Sequence, residues 1–233
     1  MLVTTAKGIR LLKHGRKLGA LALASTVGMA APAFAHPHVF AEARVEIVGT
    51  PDSRLAAIRN IWRMDELFSS SVLVDFDKNA NGVLDEDELA EIGAVVKESI
   101  AEWDFYTFVE TAGRSVEMSP PDVIHTLYEN GQLLMFFEMR AGEAVDLVAG
   151  KLTVANFDDT FFVAFDATEE DFQLIDMPKQ CAKQYVVPDA DAAAQQWMES
   201  VASLGPDESI PEDGINYSQV LATRIEVSCG PAS

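Results

Sequence analysis

The stretch Asp77-Lys-Asn-Ala-Asn-Gly-Val-Leu-Asp-Glu-Asp-Glu88 constrains this chain more than any other. Its spacing is that of an EF-hand calcium loop. Asp77, Asn79 and Asn81 occupy positions 1, 3 and 5, the Val83 carbonyl position 7, Asp85 position 9 and Glu88 position 12. Calcium takes six to eight hard oxygens in a loose shell, and one short loop supplies them here. Gly82 falls at position 6, where the chain must turn with positive φ. Leu84, at position 8, is expected to anchor the loop to the core. The plainer alternative is an acidic Asn-Gly turn that binds nothing. A fit at every ligand position, with helices expected on both sides, favours calcium. Three of the five side-chain positions are acidic, and no second loop pairs with this one. The expected site is therefore structural and weak, with Kd of about 10⁻⁴–10⁻³ M.

The flanks carry helical spacing. Leu89, Ile92, Val96, Ile100 and Trp103 predict an amphipathic helix over 86–103, with Asp85 as its N-cap. Phe68, Val72, Leu73 and Phe76 predict a shorter helix leading into the loop. The rest of the chain reads as strands. Alternating, β-branched runs are expected at 41–48, 55–64, 106–110, 115–118, 123–128, 133–139, 152–157, 160–165, 172–175 and 180–187, with a final strand over 217–229. Asn130-Gly131 between two apolar runs predicts a tight hairpin that pairs Glu129 with Gln132 and sets His125 opposite Phe136. A helix is expected over 190–203, capped by Asp189, followed by an acidic mobile loop over 205–216. The predicted fold class is α+β: mainly an antiparallel β-sandwich with an inserted helix–calcium loop–helix unit at about 66–104.

Residues 1–35 read as a cleavable signal peptide. Lys7, Arg10, Lys13, Arg16 and Lys17 form a basic start, Leu18 to Ala31 an apolar stretch too short to span a bilayer comfortably, and Ala33-Phe34-Ala35 a cleavage site. Removing these 35 of 233 residues leaves 198, expected to form a single periplasmic metal-binding domain over 36–233. It also removes five basic residues and no acids, so the formal charge moves from −20 to −25. A surface this acidic repels nucleic acid and anionic lipid and attracts cations. No later segment is apolar enough to cross a membrane, so no insertion is expected after cleavage. Export to an oxidising compartment makes a disulfide between Cys181 and Cys229 the expected state of the two cysteines.

A set of motifs resembles a family of exported bacterial proteins labelled as periplasmic components of an ABC-type transport system. They are His36-Pro37-His38-Val39-Phe40, Trp62-x-x-Asp65-Glu66-x-Phe68-Ser69, the calcium-like loop, Phe157-Asp158-x-Thr160-x-Phe162-Val163-Ala164-Phe165, and the late Cys181. Members of that family more usually carry a Tyr-Asp-Pro pattern where this chain has Phe157-Asp158-Asp159. The resemblance covers most of the segment after the signal. It implies a metal-handling role beside a membrane permease of the nickel/cobalt type, with zinc as the expected metal.

The residues themselves allow such a role. The expected mature segment holds three histidines, His36, His38 and His125, two of them at the new N-terminus. On an extended chain, residues i and i+2 share a face, so His36 and His38 can present paired imidazoles. Zinc, nickel and copper all suit such ligands. Cleavage would free the His36 amine as a further donor, while Pro37 lacks the amide that a square-planar amino-terminal site deprotonates. His125, Asp158 and Asp65 are candidates for the remaining positions. For His125 a hydrogen-bonded core histidine is the competing reading, and for Asp158 a turn residue capping its own backbone. The chain has no nucleophile motif, phosphate-binding glycine loop or His-Glu-x-x-His, so no enzyme is expected. The one enzymatic alternative is copper chemistry at a His36 brace. The leading expectation is a periplasmic zinc-binding transport accessory with a structural calcium ion. The competing one is a calcium-stabilised envelope interaction module.

Overall fold

The computed structural model describes residues 37–202 and 217–230. The expected signal peptide, His36 and the 205–216 loop therefore lie outside the described residues. Twelve strands run in chain order: β1 (Val39–Gly49), β2 (Leu55–Met64), β3 (Thr107–Thr111), β4 (Arg114–Ser115), β5 (Met118–Ser119), β6 (His125–Glu129), β7 (Gln132–Ala141), β8 (Leu152–Asn156), β9 (Val163–Asp166), β10 (Phe172–Ile175), β11 (Cys181–Val186) and β12 (Arg224–Cys229). The α-helices are α1 (Glu66–Phe76), α2 (Glu86–Ser99), α3 (Ala190–Ala202) and α4 (Tyr217–Leu221). The class is α+β, with two mostly antiparallel sheets.

The larger sheet has seven strands. Its path is β10-β1-β2-β7-β5, with β6 also on β7 and β9 also on β1. The five-stranded sheet has the order β11-β12-β8-β3-β4. Two pairings depart from the antiparallel expectation: β1 runs parallel to β9 at its start and to β10 at its end. The Asn130-Gly131 hairpin keeps the predicted register, with Glu129 opposite Gln132 and His125 opposite Phe136. Asn130 and Gly131 both hold positive φ, as a two-residue hairpin turn requires.

One face of the larger sheet builds two cores. The alternate β1 residues Val39, Ala41, Ala43, Val45 and Ile47 all point inward. The first three, with Trp62, Met64, Met135 and Phe137, pack beneath Val72 of α1 and Ile92 of α2. The last two, with Ile58, pack against Val109, Leu152, Val154, Ile225 and Val227 of the smaller sheet. Asn60, fully buried in the same inward row of β2, sits between these groups and donates to Thr107 Oγ1 at 3.1 Å. Asn156 donates to Asn60 Oδ1 at 3.0 Å and to the Tyr106 carbonyl at 2.9 Å. The opposite face of the sheet carries ion pairs, among them Arg59 with Glu138 at 2.8 Å.

Three elements differ from expectation. α2 stops at Ser99, and a short 3₁₀ stretch, Ala101–Tyr106, follows. Asp104, Phe105 and Tyr106 all adopt positive φ there, which turns the chain sharply into β3 and drives Phe105 into the core at 3% exposure. The strand expected from residue 160 begins at Val163. The segment expected as one strand over 217–229 opens instead with α4 before β12. Cys181 and Cys229 are bonded to each other and face each other across β11 and β12. The bridge spans 48 residues, worth about 4 kcal/mol in the chain-entropy account.

Candidate metal centre

The acidic loop joins α1 to α2, and its local bonds follow from its sequence. Gly82 holds φ +79°, as position 6 requires, and Ala80 holds φ +55° without a glycine's freedom. Asp77 at the end of α1 turns both oxygens inward, accepting from Asn81 N at 3.0 Å and Gly82 N at 2.7 Å. Asn79 and Asn81 each use the amide oxygen to accept the N–H two residues on, at 3.0 and 2.7 Å. Both also aim the amide nitrogen at Asp85 Oδ2, at 2.8 and 3.3 Å. Glu88 closes the loop. Its carboxylate accepts from Lys78 N and Asp85 N, both at 2.9 Å, and so ties the loop's first turn to the start of α2. The residue is only 7% exposed. Leu84 is buried in the core that α1 and α2 cover, and Asp85 caps α2. Each of these oxygens except Asp85 Oδ2, which accepts from both amides, retains a further lone pair.

The start of β1 forms a second corner. The backbone N–H of His38 donates to the Phe162 carbonyl at 2.9 Å, and its exposed ring lies 5.1 Å from that of Phe162. Asp65 sits beside it as the N-cap of α1. Oδ1 accepts from Phe68 N at 2.9 Å and Oδ2 from Phe40 N at 2.8 Å, so one carboxylate holds strand and helix together. Asp158, 3% exposed, accepts from Thr160 N and Thr160 Oγ1 at 2.8 Å and from Val163 N at 2.9 Å. It shapes the turn that delays β9 and matches the turn-capping reading. Burial, with the charges of Asp158 and Glu102 behind it, pushes the nearby Tyr106 hydroxyl up to about 12.

The chain does not bring all the candidate ligands together. His125 is exposed, not a core histidine, and stacks on Phe136 at 5.8 Å. It lies in the row of Arg44, Ile61 and Phe136, three strand steps from β1. That is about 14 Å across the sheet, and His38 lies a further six residues, about 20 Å, along it. His125 cannot share an ion with His38. Among the described residues, no three His, Cys, Asp or Glu side chains converge closely enough to hold a metal ion. The loop's donors are instead three carboxylates interleaved with two amides and one carbonyl.

The motif around Trp62 also gains a meaning that sequence reasoning missed. Asp65 is a cap. Ser69, fully buried, donates from Oγ to the Asp65 carbonyl at 2.6 Å and accepts from Leu133 N at 2.9 Å, fixing α1 on β7. The signal was an Asp placed just before an apolar helical run.

A family profile described as a protein of unknown function, DUF1007, matches residues 21–229. The chain belongs to this family. The match takes in both sheets, all four helices and both corners described above. A comparison with curated proteins finds no match. Among the described residues no helix is long and apolar enough to cross a membrane.

Proposed function

We propose that this chain is an exported metal-binding accessory protein of a transition-metal transport system. Zinc is its cargo, with nickel or copper as alternatives, and a calcium ion holds the helix–loop–helix unit at 77–88. The partner would be a membrane permease of the nickel/cobalt type. The observation that carries the cargo reading is His38. Its ring is exposed while its backbone is fixed on Phe162, and the Asp65 and Asp158 carboxylates bind the backbone N–H groups of Phe40 and Val163 on the paired strands β1 and β9. An anchored, accessible imidazole directly after the expected cleavage site suits capture and release better than a deeply buried site would. The calcium reading is supported by Glu88, whose buried carboxylate is drawn to the loop rather than to solvent.

Isothermal titration with zinc, calcium present throughout, tests the cargo reading on protein purified after export, in wild-type, His36→Ala and His38→Ala forms. Each substitution should weaken zinc binding by tenfold or more and leave calcium binding intact. Because imidazoles and amines must be neutral to ligate, affinity should also fall as pH drops from about 7.5 to 5.5. Equal zinc affinity in all three proteins would remove the N-terminal site. It would favour the calcium-stabilised envelope module, a reading that the engagement of Asp65 and Asp158 with backbone amides already supports.

A further inference from the structure

The outward face of the smaller sheet forms, with Gln196 of α3 and Gln219 of α4, a pocket of about 400 Å³. Its size falls within the range of small-molecule sites. The strand register lays out its floor in two rows. Arg224, Ala155 and Phe108 stand side by side, and Glu226, Thr153 and Glu110 form the next row. All six line the pocket. Phe108 stacks on Phe157, also in the lining, at 3.8 Å, which gives an apolar wall beside the small Ala155.

The charges in these rows are divided. On the β12 side, Lys151 pairs with Glu226 at 2.8 Å, and Arg224 Nε approaches the other oxygen of the same carboxylate at 3.5 Å. One acid between two bases leaves this side with a net positive charge. The Arg224 side chain is 33% exposed, and its two terminal amino groups have no partner among the described residues. A guanidinium is a planar fork of donors that fits a carboxylate. On the β3 side, Glu110 accepts from Gln219 Nε2 at 2.7 Å through one oxygen, and among the described residues no base pairs with it. The register sets Arg224 and Glu110 two strands and two residues apart, about 12 Å between Cα atoms. Their long side chains can narrow that span to the few ångströms between the charges of a small zwitterion. A simple anion would meet Glu110 and the chain's net charge of −20, and a simple cation would meet the positive side. A molecule with both charges suits both poles.

We propose that this pocket binds a free α-amino acid with a large apolar side chain. Its carboxylate docks on the Arg224 fork, its ammonium on Glu110 and its side chain on Phe108. The pocket shares no residue with the acidic loop or the His38 corner, so it stands or falls apart from the transport reading.

The test is calorimetric titration of L-phenylalanine into protein purified after export, at pH 7. The analogues 3-phenylpropanoate and phenethylamine lack the ammonium and the carboxylate respectively. Wild type should bind phenylalanine saturably and each analogue about tenfold or more weakly, the value of one charged hydrogen bond. Arg224→Gln should erase the preference over phenethylamine, and Glu110→Gln the preference over 3-phenylpropanoate. A variant that had merely lost its fold would lose the analogues as well. Absence of saturable phenylalanine binding in wild type would overturn the proposal. So would equal affinity for phenylalanine and either analogue, or a folded variant that keeps the wild-type preference.

Discussion

Replacing Glu88 with Ala should lower stability in the absence of calcium and also abolish the response to calcium. The first effect follows from the bonds. The carboxylate accepts two backbone N–H groups at 2.9 Å. Charged hydrogen bonds contribute about 1.5–3 kcal/mol each, but Lys78 and Asp85 lie at the surface, where water can replace the lost acceptor. The lower end applies, and the two together give about 3 kcal/mol. For a chain of this size that lowers Tm by about 6–12 °C. The second effect follows from mass action. With Kd of about 10⁻⁴–10⁻³ M, calcium at about 10 mM stabilises the wild type by about 1.4–2.7 kcal/mol, a rise of about 3–10 °C. Without its bidentate ligand the variant should show no rise. Scanning calorimetry in chelator and in calcium, with magnesium as the control cation, reads both effects. A wild-type Tm that calcium does not move would refute the calcium reading. A variant as stable as wild type in chelator would refute the role assigned to the carboxylate.

Ala80 holds positive φ, so Ala80→Gly should stabilise the loop by up to about 1 kcal/mol and tighten calcium binding severalfold, read by calorimetric titration. Gly93 lets α2 approach the strand segment before β6; a Cβ there would stand 2.0 Å from the Ile124 carbonyl oxygen. Gly93→Ala should therefore cost about 1–3 kcal/mol in urea unfolding, despite the better helix propensity of alanine. Lys151, bonded at 2.8 Å, and then Arg224 hold the Glu226 carboxyl below the usual carboxylate range. A depressed folded pKa contributes stability above the unfolded pKa, and that stability is lost as pH falls through the folded value. Wild type should lose stability on acidification below about pH 4.5, and Glu226→Gln should lose less, in urea unfolding followed from pH 6 to 3.

Several elements were legible because local chemistry and tertiary demand agree. β2 occupies the expected 55–64, and the Asn130-Gly131 turn sets the β6–β7 register residue by residue. Gly82, Leu84 and Asp85 take the backbone, burial and capping roles that their loop positions imply. The misses share a cause. Phe105 and Tyr106 are poor left-handed residues, unlike Asp104, and the core's demand for Phe105 puts them there. The five-residue α4 is too short for a helical period to register. The parallel partners of β1 were invisible, since short apolar runs do not declare direction. His125 looked like a core residue because its neighbours Val123 and Leu127 are apolar, yet these are 47% and 48% exposed on the sheet's outer face.

The larger sheet explains why both candidate sites sit where they do. Its inward face is longer than the smaller sheet can cover, so α1 and α2 must close the remaining half. The chain marks the changeover with Asn60, Thr107 and Asn156, a buried polar trio in which Asn156 Oδ1 has no partner among the described residues. Apolar residues at those positions would let the two cores merge and the helices slide; hydrogen bonds with fixed partners hold the boundary. The helix pair is then a lid of set position over one end of the sheet. Its connecting loop projects outward to where cations can reach it. Its underside leaves an apolar groove beside Trp62, and its first cap, Asp65, holds the strand that carries His38. On this account a change in the polar trio would shift the groove before it altered the acidic loop, where the side-chain bonds of Asp77, Asn79, Asn81 and Glu88 are made within 77–88.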